Sequence, residues 1–394
     1  MPSASDGVHR GVGVLNGPPR VVLAGCGHAH LFVLEALAQK QFPRADVTLV
    51  SPAGEYFYSG MASGVIAGQY RPEQACFHPA RLAQTAGAEW VCASVTRIDT
   101  GARRVYLDDG RELGYDLLSL DIGARLADDD MPGARECAIP VKPVHDALGI
   151  GTAADAVTRT ASPDRPARIV VVGGGAAGVE IAICLSARLL RDHGAEKHQI
   201  TVLEAGEQVL AQKPESARQR VGAVLRSRKI EVRTAVRIRA AEDGSVVPDS
   251  GASIPFDVLV WATGPRAPEL FRDSGLPTDD QGYMRVDATL QAEGYMTIFG
   301  AGDCVSLVDH PWIAKAGVYA VREGPVLARN LAAYLRGAPL DAYSPQSDWL
   351  SLLNLGDERA LMSYRGYAAI GRPLWWLKDR IDHRFMHRFQ RLES

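Results

Sequence analysis

Two glycine-rich turns, each closing a short apolar run, constrain this chain more than anything else in it. The first lies in Val21-Val22-Leu23-Ala24-Gly25-Cys26-Gly27-His28-Ala29-His30, the second in Ile169-Val170-Val171-Val172-Gly173-Gly174-Gly175-Ala176-Ala177-Gly178. After the first turn, Leu31, Leu34, Leu37 and Ala38 fall at helical spacing, so the pattern is strand, tight turn, helix. A third stretch, Thr297-Ile298-Phe299-Gly300-Ala301-Gly302-Asp303, ends another apolar run on Ala-Gly-Asp. One such loop is weak evidence. Two in this order, followed by the Asp signature, predict a chain that holds a flavin and a nicotinamide nucleotide together, with electron transfer as its chemistry.

Composition is consistent with that and excludes other classes. A chain of 394 residues is long enough for two or three domains. A net charge of −3 gives no reason to expect nucleic acid as a partner. Residues 1–19 are rich in Gly, Ser and Pro, lack the apolar centre of a secretion signal, and read as a flexible tail. No run approaches the ~18 apolar residues that span a bilayer. The six cysteines, at 26, 76, 92, 137, 184 and 304, include no CxxC pair, so neither a dithiol motif nor a local zinc site is written, and no metal is expected. A reducing, cytoplasmic compartment is the default expectation.

The order of elements predicts an α/β fold with two Rossmann-like dinucleotide-binding domains, one for FAD and one for NAD, the second inserted in the first. Residues 20–145 and 283–345 form the FAD domain, and 146–282 the NAD(H) domain. Residues 346–394 form a C-terminal segment with an amphipathic helix. Val47–Val50 completes the first βαβ unit; strands at 169–172 and 200–203 flank a helix from Ala176 to about Asp192 in the second.

Each loop has a physical fit to its ligand. Gly25 permits the tight turn and Gly27 lets the backbone approach a pyrophosphate, which the following helix amides and dipole would bind. Two departures stand out. His30 occupies the place of the third glycine, which predicts looser helix–strand packing. Ser51 ends the second strand where an acidic residue ordinarily holds the adenosine ribose. The second loop is complete, with Gly173, Gly175 and Gly178 in place. Glu204 ends its next strand, where a carboxylate accepts bonds from both ribose hydroxyls and repels a 2′-phosphate, so NADH is expected over NADPH. Asp303, after a strand and at the foot of a helix, is placed to bond the flavin's ribityl hydroxyls; an ordinary helix cap is the alternative.

With these motifs in view, the chain resembles the pyridine nucleotide-disulfide oxidoreductase superfamily, in the branch of type II NADH dehydrogenases and sulfide:quinone reductases. It is similar in particular to the flavoprotein domain fused ahead of selenide, water dikinase. That likeness is carried by Gly25–His30, Tyr58-Ser59-Gly60-Met61, Ile139-Pro140-Val141-Lys142-Pro143, 315–322 and Trp376–Met386. It implies FAD contacts at Gly25, Gly27, His28 and Asp303, and adenine near Val95. Gly123 and Gly264 lie in two inter-domain signatures, Leu120-Asp121-Ile122-Gly123 and Trp261-Ala262-Thr263-Gly264. The first of these departs from the usual Ala-Thr-Gly.

The implied reaction is hydride transfer from NADH to flavin N5, then electrons to a small acceptor, a quinone before a disulfide. Lys315, ahead of a helix, is a candidate to stabilise negative charge near flavin N1, with plain surface charge as the alternative. His28 and His30 are candidates to border the flavin, against a role in packing. Cys304 is a redox candidate because it follows Asp303, against a buried and inert state. Sulfide oxidation is the enzyme rival, and would depend on Cys304 or Cys137. A low-turnover redox sensor or accessory in selenium metabolism is the rival from another class.

In the C-terminal segment Leu374, Leu377, Ile381, Phe385 and Phe389 repeat at three or four. Lys378, Arg380, Arg384, Arg388 and Arg391 decorate the rest. Two partners for this stripe stay open. One is a membrane interface, which would make the protein peripheral on the cytoplasmic face of the inner membrane. The other is the protein's own body or a homodimer partner.

Overall fold

The computed structural model describes residues 17–126 and 131–393; most of the expected N-terminal tail lies outside the described residues. From the first residue of the expected FAD domain, β1 (Arg20–Ala24) runs into α1 (His28–Ala38) and returns as β2 (Asp46–Val50). A two-strand hairpin, β3 (Tyr56–Phe57) and β4 (Cys76–Phe77), brackets α2 (Ser59–Ile66), and β5 (Glu89–Val91) and β6 (Leu117–Leu120) rejoin the main sheet. Val21 lies opposite Val47 on one side and Leu117 on the other, all in parallel register. These strands read as unbroken apolar runs because both faces of a central parallel sheet are covered.

The second sheet starts at β7 (Ala138–Pro140), continues with β8 (Ala167–Val172), α3 (Ala176–His193), β9 (His198–Leu203) and β10 (Glu231–Arg233), and closes with β11 (Val258–Trp261). Its strand order is β7-β11-β8-β9-β10, all parallel. Because β7 pairs with β11, this sheet begins before residue 146, where the sequence puts its boundary. A strand of three residues offers too little periodicity to be seen in sequence.

The chain then returns to the first sheet with β12 (Met284–Val286), β13 (Gln291–Ala292), β14 (Tyr295–Gly300) and β15 (Val305–Leu307). That sheet has the order β15-β12-β13-β14-β6-β1-β2-β5. The long α4 (Gly317–Leu335) packs on α1. Gly324 is required there, since a side chain on it would collide with the Phe32 ring. A three-stranded antiparallel sheet, β16 (Ser351–Asn354), β17 (Ala360–Tyr364) and β18 (Tyr367–Gly371), leads into α5 (Arg372–Gln390).

α5 follows the amphipathic expectation at Phe385 and Phe389, which face the core, and departs from it in its first half. Lys378, Asp382, Met386 and Phe389 are buried. Trp376, Leu377 and Ile381 stand 60%, 40% and 45% exposed. Lys378 Nζ donates to Asp382 Oδ2 at 2.6 Å and to the Gly60 carbonyl at 2.6 Å, and Tyr58 donates to Asp382 Oδ1 at 3.3 Å. A fully partnered ion pair of this kind can face a core, and hydrophobicity alone does not reveal the partners.

Candidate functional site

The first cradle is built where β1 ends. Gly25 has φ +92°, and a side chain on it would collide with the Asp121 backbone. Its amide bonds the Val50 carbonyl at 2.8 Å, which fixes the turn between β1 and β2. Gly27 answers to a neighbour that the motif alone does not name: the space its Cβ would fill holds the Asp121 carboxylate. Asp121 Oδ2 accepts the amides of Ala29 at 2.8 Å and His30 at 3.0 Å, in the first turn of α1. Burial pushes this carboxyl up to about 7, against the pull of those two amide bonds.

The two histidines divide their work. His30 is fully buried, with Nδ1 2.6 Å from the Gly25 carbonyl and Nε2 2.8 Å from Ser119 Oγ. Both ring nitrogens are thus taken, and the ring ties the loop to β6. The expected looseness from losing the third glycine is filled by that side chain. His28 has Nδ1 3.2 Å from the Tyr56 hydroxyl, while its Nε2 is buried without a protein partner. An unpartnered buried nitrogen is costly, so a ligand atom there would satisfy it. Burial lowers His28 to about 4, with Asp303 opposing and Lys142 adding to the shift, so the ring is neutral at pH 7. Tyr58 stacks on Phe385 of α5 at 4.5 Å and meets His28 edge-on at 5.4 Å, so α5 walls this side of the cradle.

Asp303 follows β14, and its Oδ2 is 2.6 Å from Lys142 Nζ. Lys142 follows β7 of the second sheet, so this ion pair joins the strand ends of both sheets. Sequence reasoning quoted Lys142 in a motif and gave it no role. Gly123, at φ +71°, faces open space beyond β6. Ser51 is buried at the end of β2, its amide on the Val91 carbonyl at 3.1 Å. Val95 opens a strand over Val95–Asp99 beside the main sheet.

Lys315, the expected charge-stabilising residue, and Cys304, the redox candidate, both have protein partners. Lys315 donates its ammonium to the Val305 carbonyl and lies 4.1 Å over the Tyr283 ring, with burial lowering its basicity. It braces β15 and also lines a small cavity with Gly302 and Asp303. Cys304 is wholly buried, its thiol 3.2 Å from the Ala301 carbonyl, and burial pushes it far above the usual thiol range. A thiol held protonated is a poor nucleophile. All six cysteines are free thiols. Beneath Gly302, Glu323 accepts that residue's amide at 2.6 Å, and burial raises the carboxyl to about 7.

The second cradle matches its motif closely. Gly173, at φ +114°, has no room for a side chain against Ala262, and a Cβ on Gly178 would collide with the Gly173 carbonyl. α3 therefore seats tightly on β8. Gly175 caps α3 and, like Gly264 after β11, faces open space. Glu204, after β9, accepts the amides of Gly174 and Gly206, each at 2.7 Å. One turn into α3 the half-buried Glu180 accepts Ser63 of α2 and the amide of Asn354, each at 2.8 Å, and loss of solvation raises its carboxyl. It was not singled out from sequence, where a glutamate on a helix reads as a solvated face.

Two nucleotide cradles, with strand ends joined through Lys142 and Asp303, are the setting for the comparison with known proteins. Residues 19–329 match the sequence model of the pyridine nucleotide-disulphide oxidoreductases. The chain belongs to that family. Among curated members it is 27% identical to demethylphylloquinone reductase NdbB of Synechocystis over 385 residues, covering 94% of this chain and 92% of that one. Among solved members it superposes on the sulfide:quinone oxidoreductase of Aquifex aeolicus with a TM-score of 0.80 at 17% identity, covering 95% and 92% of the two chains. NDH2 of Plasmodium falciparum, solved in complex with NADH, superposes with a TM-score of 0.78 at 14% identity, over 94% and 97%. The doubly nucleotide-binding α/β fold read from sequence is the fold these members share.

Proposed function

We propose that this protein is an FAD-dependent NADH oxidoreductase that passes electrons to a quinone. The observation that carries the reading is the pair of cradles in one chain, in a family that has a curated relative of near-equal length named demethylphylloquinone reductase. FAD would take the first cradle, with Gly25, Gly27, His28, Ser51, Val95, Gly123 and Asp303 around it. NADH would take the second, with Gly173, Gly175, Gly178, Glu204 and Gly264. The flavin, when bound, supplies the step between two-electron hydride chemistry and the acceptor.

The residues supply position and charge. The start of α1 and its dipole offer the phosphate seat, in competition with the Asp121 carboxylate on the Ala29 and His30 amides. His28 Nε2, neutral and unpartnered, offers one hydrogen bond at the flavin side. The Lys142–Asp303 pair holds the two domains in register while leaving one carboxylate oxygen of Asp303 for a hydroxyl. Glu204 favours the unphosphorylated ribose of NADH over NADPH.

Quinones reside in membranes, and the exposed Trp376, Leu377 and Ile381 with Arg380 and Arg384 would rest this face on an anionic membrane surface. The same Trp376–Met386 stretch resembles the flavoprotein fused to selenide, water dikinase, and an accessory redox role in selenium metabolism is the reading to test against. Turnover separates them. A quinone reductase oxidises NADH rapidly with a short-chain quinone and slowly with NADPH. An accessory flavoprotein shows slow flavin reduction with every quinone offered. A sulfide oxidoreductase turns over with sulfide and loses activity in Cys304→Ala or Cys137→Ala, whereas the present reading expects both variants to retain NADH:quinone turnover.

A further inference from the structure

Beside the first cradle, the β3–β4 hairpin assembles a donor set that neither dinucleotide uses. Tyr56 pairs with Phe77 and Phe57 with Cys76 in antiparallel register. Extending that register by one residue sets Glu55 across from His78. Since side chains alternate along a strand, Glu55, Cys76 and His78 share one face. Their carboxylate, thiol and imidazole donor atoms all lie within 4.8 Å of one another.

A further observation points to a cation. Glu393, in the turn after α5, accepts the His78 amide at 2.5 Å and stands 3.0 Å from His78 Nδ1. A carboxylate on one ring nitrogen is how metal-ligating histidines are oriented, leaving the other nitrogen for the metal. The Cys76 thiol is buried on that face, beside the Phe77 backbone.

We propose that Glu55, Cys76 and His78 bind one divalent transition-metal ion of the zinc class, with Glu393 orienting His78. A mixed sulfur, nitrogen and oxygen set suits zinc and disfavours calcium or magnesium. On binding, the Cys76 thiol loses its proton to solvent as the sulfur–metal bond forms. Three protein ligands leave a fourth, water-filled position on the side where Glu55 is exposed. The ion would clamp the hairpin carrying Tyr56, the partner of His28, to the turn that follows α5. It takes no part in electron transfer and is independent of the acceptor.

The test is a cobalt(II) titration of the full-length purified protein, read in the ligand-field bands to the red of flavin absorption. Retained zinc after dialysis is counted by mass spectrometry. The expected result is one equivalent per chain with the intensity of a tetrahedral, thiolate-bound ion. Cys76→Ser and His78→Gln lose it, Glu393→Gln weakens affinity about 10–100-fold, and Cys92→Ser, which removes an exposed thiol, changes nothing. Equal spectra and stoichiometry in the wild type, Cys76→Ser and His78→Gln would place the metal elsewhere and overturn the proposal. If Cys76→Ser does not fold, zinc-dependent Tm decides: a rise in the wild type and none in His78→Gln supports the site. A wild-type Tm indifferent to zinc contradicts it.

Discussion

Asp121 shows best how single residues set the first cradle. Its carboxylate lies on the α1 amides that a pyrophosphate would also seek, so negative charge there opposes phosphate. The folded group titrates near 7, while an unfolded aspartate titrates at about 4. The folded state therefore holds a proton that the unfolded chain has released. Its stabilising contribution is full below about pH 4 and lost as pH rises through about 7. Glu323, also raised to about 7, acts in the same direction. Asp121→Asn keeps one oxygen for both amides and removes the charge. It is expected to bind FAD at least tenfold more tightly at pH 8 and to flatten the rise in Kd between pH 6 and 8, measured by flavin fluorescence; an unchanged pH profile would show that Asp121 does not compete with phosphate. Residues of this kind explain what sequence could and could not show. Gly173 and Gly178 were legible because the close approach of backbone leaves only glycine at each place. Asp121, Lys142 and Glu180 were not, because each acts on a partner more than 90 residues away.

At the scale of elements, the strand–turn–helix units were readable and α5 was half readable. Its helical spacing was evident, yet which face turns inward depends on Tyr58 and the Gly60 carbonyl, which no periodicity in α5 encodes. Lys378→Met would strand Asp382 as a buried charge and cost about 3–5 kcal/mol. The double variant Lys378→Met/Asp382→Leu should regain most of that in urea unfolding. If the single variant is as stable as the wild type, the pair is not buried in solution. The outward face makes its own prediction. Trp376→Ala/Ile381→Ser should lower sedimentation with anionic vesicles and leave activity on a water-soluble quinone intact. Unchanged vesicle binding would remove α5 from the membrane account. No helix among the described residues is long and apolar enough to cross a bilayer.

The whole molecule is two nucleotide sheets set with their strand ends together and a C-terminal unit laid over one side. Short strands such as β7 shifted the division between sheets away from where composition puts it, because pairing with β11 is a long-range event. The two cradles converge through Lys142 and Asp303 and through Ser63 and Glu180. The central claim is that NADH in the second cradle reduces a flavin in the first. The decisive measurement is the visible spectrum of the purified protein before and after anaerobic NADH. The expected result is a yellow protein whose band at about 450 nm bleaches within seconds. A yellow protein that NADH leaves unbleached, while the fold is intact, would contradict it.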